Sequence, residues 1–202
     1  MDILHPIEVR VLGALLEKDI TTPEYYPLTL HSLQAACNQK SSRDPVVNYD
    51  EPTVADAIEL LRNKQLVGKV SGAGHRVEKW AHRLGERLNL GRRELAILCV
   101  LMLRGPQTVG ELRGRTERMH DFADLEEVER VLDVLEHHQP DPLVAPAGRG
   151  RWVQLLGGAY TESAVEAPVA GARSPLEERV ANLERELEDL KQQFQRFQRQ
   201  FE

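Results

Sequence analysis

Hydrophobic positions in residues 1–90 recur with the period of an α-helix in three successive segments. The first predicted helix is marked by Ile7, Val11, Leu12, Leu15 and Leu16. A second, shorter helix is predicted over 30–37, and a third begins at about Pro52. Two strands, 66–70 and 76–80, then flank a glycine-containing turn. The predicted order is therefore three helices followed by a β-hairpin.

The same order of patterns returns in residues 91–158. Segment 94–98 resembles 8–12, and segment 108–112 resembles 29–33. The third helix and the hairpin also have counterparts, at 128–135 and 143–153. Matching blocks in one order indicate a tandem duplication. Three helices with a β-hairpin are typical of a winged helix, so the predicted fold is mainly α with small β-hairpins. Its two tandem winged-helix domains are 1–90 and 91–158.

The last part of the chain has a different pattern. Residues 159–173 are small and polar without periodicity, which predicts a flexible linker. Over 174–202, apolar residues are spaced alternately by four and three, as in the heptads of a coiled-coil helix. These dimerisation positions are Leu176, Val180, Leu183, Leu187, Leu190, Phe194, Phe197 and Phe201. The charges beside them favour a parallel homodimer. The alternative is an amphipathic helix that packs on a domain of its own chain.

Charge and composition limit the possible functions. The chain has 26 Lys and Arg against 32 Asp and Glu, a net charge of −6. A general polyanion binder is therefore excluded, and any nucleic-acid contact needs a local patch. Two cysteines indicate a reducing compartment rather than a disulfide framework. With no secretory signal and no apolar run near the ~18 residues of a membrane span, we expect a cytoplasmic protein without membrane contact.

Patterns that would indicate catalysis or metal binding are weak. Gly72 and Gly74 follow a strand, but a second strand comes next, so the helix of a dinucleotide-binding fingerprint is missing. His137 and His138 are adjacent and cannot share a metal at the usual i, i+4 spacing. Since no nucleophile and base are paired, we expect a non-enzymatic protein with no metal and no cofactor.

Several short sequence motifs are specific enough to be compared with known families. They are EVRVLG at 8–13, TTPEYYPL at 21–28, ACNQKSSR at 36–43, and LRGPQT at 103–108 with GELR at 110–113. In these motifs the chain resembles the YceH-like family of uncharacterised bacterial tandem winged-helix proteins, over roughly residues 3–158. The resemblance implies two winged-helix units in a bacterial cytoplasm, and no known activity or catalytic residue. The second wing, 151–156, departs from the more polar run usual in the family.

Double-stranded DNA is the first partner that winged helices suggest, with the third helix in the major groove and the wing at the phosphates. The residues expected to contact it are Lys40, Ser42, Arg43, Arg62, Lys64, Lys69, His75, Arg76, Arg149 and Arg151. Arg113, Arg115 and Arg118 are further cations around the second helix of the second domain. Such cations can also simply solvate a surface, and the loop 38–43 can serve as a local helix cap.

Acidic residues on the third helices weaken the DNA hypothesis. The helix of the second domain carries Asp124, Glu126, Glu127, Glu129, Asp133 and Glu136 against the single cation Arg130. Phosphates would repel a helix of that charge. The leading hypothesis is a dimeric transcription-regulatory or DNA-binding module that uses its first domain. The alternative is a protein–protein interaction adaptor, without DNA contact, that uses the acidic helix 124–138 and the coiled coil.

Overall fold

The computed structural model describes residues 2–70 and 77–159. In its first half, the elements are α1 (Pro6–Thr21), β1 (Leu28–Thr29), α2 (Leu30–Cys37), α3 (Glu51–Asn63), β2 (Val67–Val70) and β3 (Lys79–His82). Helix α4 (Leu84–Leu88) follows β3, and the second half contains α5 (Arg92–Arg104), β4 (Gln107–Thr108), α6 (Val109–Thr116), α7 (Leu125–Glu136), β5 (Val144–Pro146) and β6 (Arg151–Gln154). The described chain is therefore a mixture of α-helices with small antiparallel sheets. None of these helices is long and apolar enough to cross a membrane.

Short polar caps determine where the helices begin. Thr29 and Thr108 lie at matching positions and accept a backbone hydrogen bond at the start of α2 and α6. Asp50 and Asp124 do the same for α3 and α7. Because an oxygen at this position satisfies an N–H that has no partner within the helix, these local signals fix the starts of the helices.

Each half of the chain contains one three-stranded antiparallel sheet, with strand orders β1-β3-β2 and β4-β6-β5. A tryptophan occupies the middle strand of each sheet. Trp80 lies opposite Leu28 and Lys69, and Trp152 lies opposite Gln107 and Pro146. The sequence predicted both strands of each hairpin, β2 with β3 and β5 with β6. Strand β3, however, begins at 79 rather than at 76. It did not predict the two-residue strands β1 and β4, which are too short for a periodic pattern.

Helices α1 and α5 pack closely and join the two halves in one core. Gly13 allows this contact, because a Cβ atom there would lie 3.0 Å from Cδ2 of Leu103 and 3.1 Å from Cβ of Met102. The Cys99 thiol donates to the Gly13 carbonyl over 3.6 Å. The described residues accordingly form one compact unit. The predicted boundary near residue 90 falls between α4 and α5.

Candidate functional site

Arg43 is buried, although the sequence suggested a phosphate contact. Its side chain has 0% exposure, and Nη2 and Nη1 donate to the Glu17 carboxylate over 2.6 and 3.0 Å. Its Nε donates to the Ala36 carbonyl over 3.1 Å. The structure therefore corrects the prediction for Arg43, since a guanidinium without exposed surface cannot reach a phosphate. This residue instead ties the loop after α2 to α1.

The Glu17 carboxylate is ionised, as its ion pair with Arg43 requires. Burial alone would raise the pKa of Glu17, but the hydrogen bonds and charge of Arg43, together with the charge of Lys18, hold that pKa below its ordinary value. Glu17 therefore stays ionised at neutral pH and neutralises Arg43.

Lys64 is also occupied within the protein. Its Nζ donates to the two Glu8 carboxylate oxygens over 2.6 and 2.8 Å, and the Glu8 side chain is only 3% exposed. The same carboxylate accepts from the His5 backbone at the start of α1. Lys64 is 20% exposed, so its charge compensates a buried acid rather than facing solvent. This placement also removes Lys64 from the predicted phosphate contacts.

Arg62 and Lys69 remain half-exposed but are paired. Arg62 contacts both carboxylate oxygens of Glu59, and its guanidinium carbon lies 5.6 Å from the centre of the Trp80 ring. Lys69 forms an ion pair with Glu78, which immediately precedes β3. Each cation therefore has part of its charge compensated by a neighbouring carboxylate.

The remaining predicted residues come from both halves of the sequence. Arg151 donates to Glu111 and to the Pro106 carbonyl, both over 3.0 Å. Arg149, from the second half of the sequence, is exposed in the turn between β5 and β6. Ser42 and Lys40, from the first half, are exposed in the loop after α2. Positions 75 and 76, with His75 and Arg76, lie outside the described residues. So do the heptad positions between 176 and 201 and the linker from 160 onward.

The spacing match between α3 and α7 that the sequence predicted extends to the exposed residues of both helices. Three buried apolar residues of α3 correspond in spacing to three of α7: Val54, Ile58 and Leu61 match Val128, Leu132 and Leu135. In this alignment, Glu59 and Leu60 match Asp133 and Val134, and all four are exposed. Leu60 is 49% exposed and Val134 is 53% exposed. Both helices therefore present an acid beside an apolar side chain at the same place.

Helix α7 has the more acidic outer face of the two. Glu126, Glu129 and Asp133 are exposed, and Leu125 at its first turn is 48% exposed. At its end, hydrogen bonding to the Asp133 backbone and the nearby Asp133 charge raise the pKa of His137. Ligand atoms of Asp133, Glu136 and His137 lie within 4.8 Å of one another. Because two of these residues are exposed and the third is half-buried, the group extends the acidic face to the end of α7.

Two cavities in the described part of the chain differ in the charges that line them. One, of about 320 Å³, is lined by acidic Asp2 and Asp141 together with Lys64, Arg87 and His138. Because the lining carries charges of both signs, this cavity does not favour one class of ligand. The other, of about 200 Å³, is lined by the end of α1, the loop after α2, and parts of α5 and α6.

Comparisons with known proteins agree on one family. The sequence profile described as "Protein of unknown function, DUF480" matches residues 4–150. A UPF0502 protein of Solibacter usitatus is 50% identical over 203 residues, which cover 98% of each chain. A UPF0502 protein of Opitutus terrae is 53% identical over 172 residues, 82% of this chain and 75% of the relative. That of Citrifermentans bemidjiense is 52% identical over 193 residues, 91% and 88% of the two chains.

Proposed function

Because this chain belongs to the DUF480 family, whose description states no function, we propose a function from the chain's own geometry. The protein is a non-enzymatic interaction module built from two winged-helix units. Its helix α7 docks a basic, partly apolar segment of another protein. Homodimerisation through the heptads of 174–202 remains part of the proposal.

The order of the elements supports the winged-helix interpretation. In each half, a helix, a short strand, two helices and two antiparallel strands follow one another, and the short strand joins the same sheet as the hairpin. This is the order of a helix-turn-helix extended by a β-hairpin wing. Since such folds serve both DNA and protein contacts, the function depends on the surfaces that they present.

The observation that carries the proposal is the acid–apolar pair on the outer face of both third helices. A third helix inserted in a major groove would approach phosphates, which carry one negative charge per ~1.7 Å of duplex. On α7, Glu129 and Asp133 are exposed and would be repelled. Each such repulsion costs about 1 kcal/mol at close range even in high dielectric. The same acids attract a basic protein segment.

Helix α7 is a better docking face than α3. On α3, Glu59 is held by Arg62, whereas on α7 Glu129 makes no ion pair among the described residues and Asp133 pairs only with His137. Val134, half-exposed beside these acids, offers apolar area that a partner can cover. Burial of the exposed half of such a side chain contributes roughly 1 kcal/mol. The charges select the partner, and the apolar contact slows its dissociation.

The test uses the full chain and two fluorescent probes. One is an amphipathic helical peptide of lysine and leucine, and the other is a 20-bp duplex, each titrated at about 50 mM salt. We expect the peptide to bind and the duplex not to bind. The double variant Glu129→Lys, Asp133→Lys should weaken peptide binding at least tenfold. Glu24→Lys, at an exposed position outside α7, is the charge control and should have a much smaller effect.

A second pair of variants separates apolar contact from charge. Val134→Ser should weaken the peptide, whereas Leu60→Ser, at the matching position of α3, should leave it unchanged. In cells, a photoreactive side chain at position 134 should form a protein adduct that Glu129→Lys abolishes. Duplex binding with a salt slope of about −0.9 per phosphate contact, lost in Lys40→Glu with Arg149→Glu, would overturn the proposal in favour of DNA.

A further inference from the structure

The smaller cavity is a cleft between the two sequence halves of the compact unit. It lies where the end of α1, the loop 39–42, the end of α5 and the end of α6 meet. Its basic lining residues are Lys18, Arg104, Arg115 and Arg118. Because these residues come from distant parts of the sequence, the packing of α1 on α5 is what brings them together.

The lining of the cleft carries four cations and one carboxylate. The lining carboxylate of Glu17 is bound to Arg43 from within the core. Lys18 shares that carboxylate over 3.2 Å, and Arg115 lies 3.3 Å from Glu111. The side chains of Arg104 and Arg118, in contrast, make no hydrogen bond or ion pair with any described residue. Two guanidinium groups therefore remain available at the cleft.

Arg104 is the more constrained of these two groups. It is half-buried at the end of α5. Burial, followed by the neighbouring charge of Arg115, lowers the pKa of Arg104. Both effects disfavour a charged guanidinium. A bound anion would reverse them, because it supplies the opposite charge and accepts the free N–H groups.

The neutral lining residues also suit an oxyanion. Ser41 and Ser42 line the cleft, and neither of their hydroxyls is hydrogen-bonded to another described residue. Ser42 has a positive φ of 59° and directs its carbonyl to Nη1 of Arg43, so the loop is held on the Arg43 side chain. Hydroxyl and guanidinium donors together match a ligand that only accepts hydrogen bonds.

We propose that this cleft binds the phosphate group of a small phosphorylated molecule. A volume of about 200 Å³ is below the ~300–1,000 Å³ usual for drug-sized ligands, and it fits a phosphate with a short substituent. Arg104 and Arg118 contact the phosphate oxygens, and the Ser41 and Ser42 hydroxyls donate to the same group. The site is separate from α7 and does not depend on the docking proposed there.

The experiment is a calorimetric titration of the full chain with inorganic phosphate and with phenyl phosphate at constant ionic strength in chloride. One saturable site is expected. Arg118→Gln, at an exposed position that should not affect folding, is expected to weaken both ligands roughly tenfold or more, since hydrogen bonds to charged groups are lost. Arg104→Gln should do the same. Arg149→Gln removes the same charge in the turn between β5 and β6, which does not line the cleft, and should leave binding unchanged.

Three results would overturn this assignment. One is the absence of saturable binding of either ligand to the wild-type chain. Another is an equal loss in Arg149→Gln, which would mean that net charge alone attracts the anion. The last is a short duplex that displaces phenyl phosphate with higher affinity, because the natural ligand would then be a polynucleotide. A second measurement, the NMR shift of the Arg118 side-chain Nε–H on addition of phosphate, locates the ligand at the cleft.

Discussion

Replacing Arg43 with methionine would show whether this residue holds the fold together. The substitution removes the guanidinium but keeps an unbranched side chain of similar length. Glu17, whose side chain is 15% exposed, would lose its shortest ion pair, at 2.6 Å. The carbonyls of Ala36 and Ser42 would lose donors as well.

The magnitude follows from what remains around Glu17. Removal of one partner of a buried ion pair destabilises a protein by about 3–5 kcal/mol. Lys18 stays 3.2 Å from the carboxylate, and the site is not completely closed to water. We therefore expect a loss near the lower end, roughly 3 kcal/mol of unfolding free energy at pH 7.

The loss of stability in Arg43→Met should depend on pH. In the native chain the pKa of Glu17 lies below its ordinary value of 4.5, so the pairing stabilises the fold above that pH and is lost as pH falls through the native pKa. In Arg43→Met, burial dominates and the pKa of Glu17 rises. Protonation then relieves the unpaired charge, so the difference between variant and wild type should shrink from pH 7 to pH 4.

Urea unfolding of the full chain at pH 7 and pH 4 measures both effects. Arg62→Met is the control, because its ion pair with Glu59 is exposed and should contribute no more than about 1 kcal/mol. Adding Glu17→Gln to Arg43→Met should restore part of the stability at pH 7. A loss below about 1 kcal/mol, or an equal loss at both pH values, would refute the reasoning.

Further predictions concern the core. Lys64→Met should cost roughly 2–3 kcal/mol in urea unfolding because Glu8 stays buried without its partner, and a loss below about 0.5 kcal/mol would contradict this. Gly13→Leu should cost roughly 1–3 kcal/mol, since its Cβ already meets α5 at 3.0 Å; unchanged stability would show that α1 can move. Burial raises the pKa of Cys37 to about 12 and also raises that of Cys99. A thiol reagent should therefore label neither cysteine before unfolding, and rapid labelling would disprove their burial.

Local signals in the sequence were sufficient for most helices. Pro6 and the capping threonine Thr108 act within one helical turn, so their effect can be read without knowing the fold. The short strands β1 and β4 gave no such signal. Each consists of two residues and forms only because β3 or β6 lies alongside, which is a property of the tertiary structure.

Side-chain partners could not be predicted in the same way. Arg43 is 26 residues from Glu17, and Lys64 is 56 residues from Glu8. Charge and a loop position suggested a phosphate contact for Arg43, but nothing in its neighbourhood in sequence shows that Glu17 will approach it. The acidity of α7 was predicted, whereas the exposure of Val134 depends on which elements pack against that helix.

The distribution of ion pairs argues for the phosphate cleft independently of its shape. Acidic residues outnumber basic ones in this chain, 32 to 26, so carboxylates are not scarce. Arg43, Lys64 and Arg62 each form an ion pair with a glutamate. Arg104 and Arg118, which both line the cleft, still lack an anionic partner among the described residues. An anion that binds from outside provides one, because an internal carboxylate in the cleft would compete with it for the same donors.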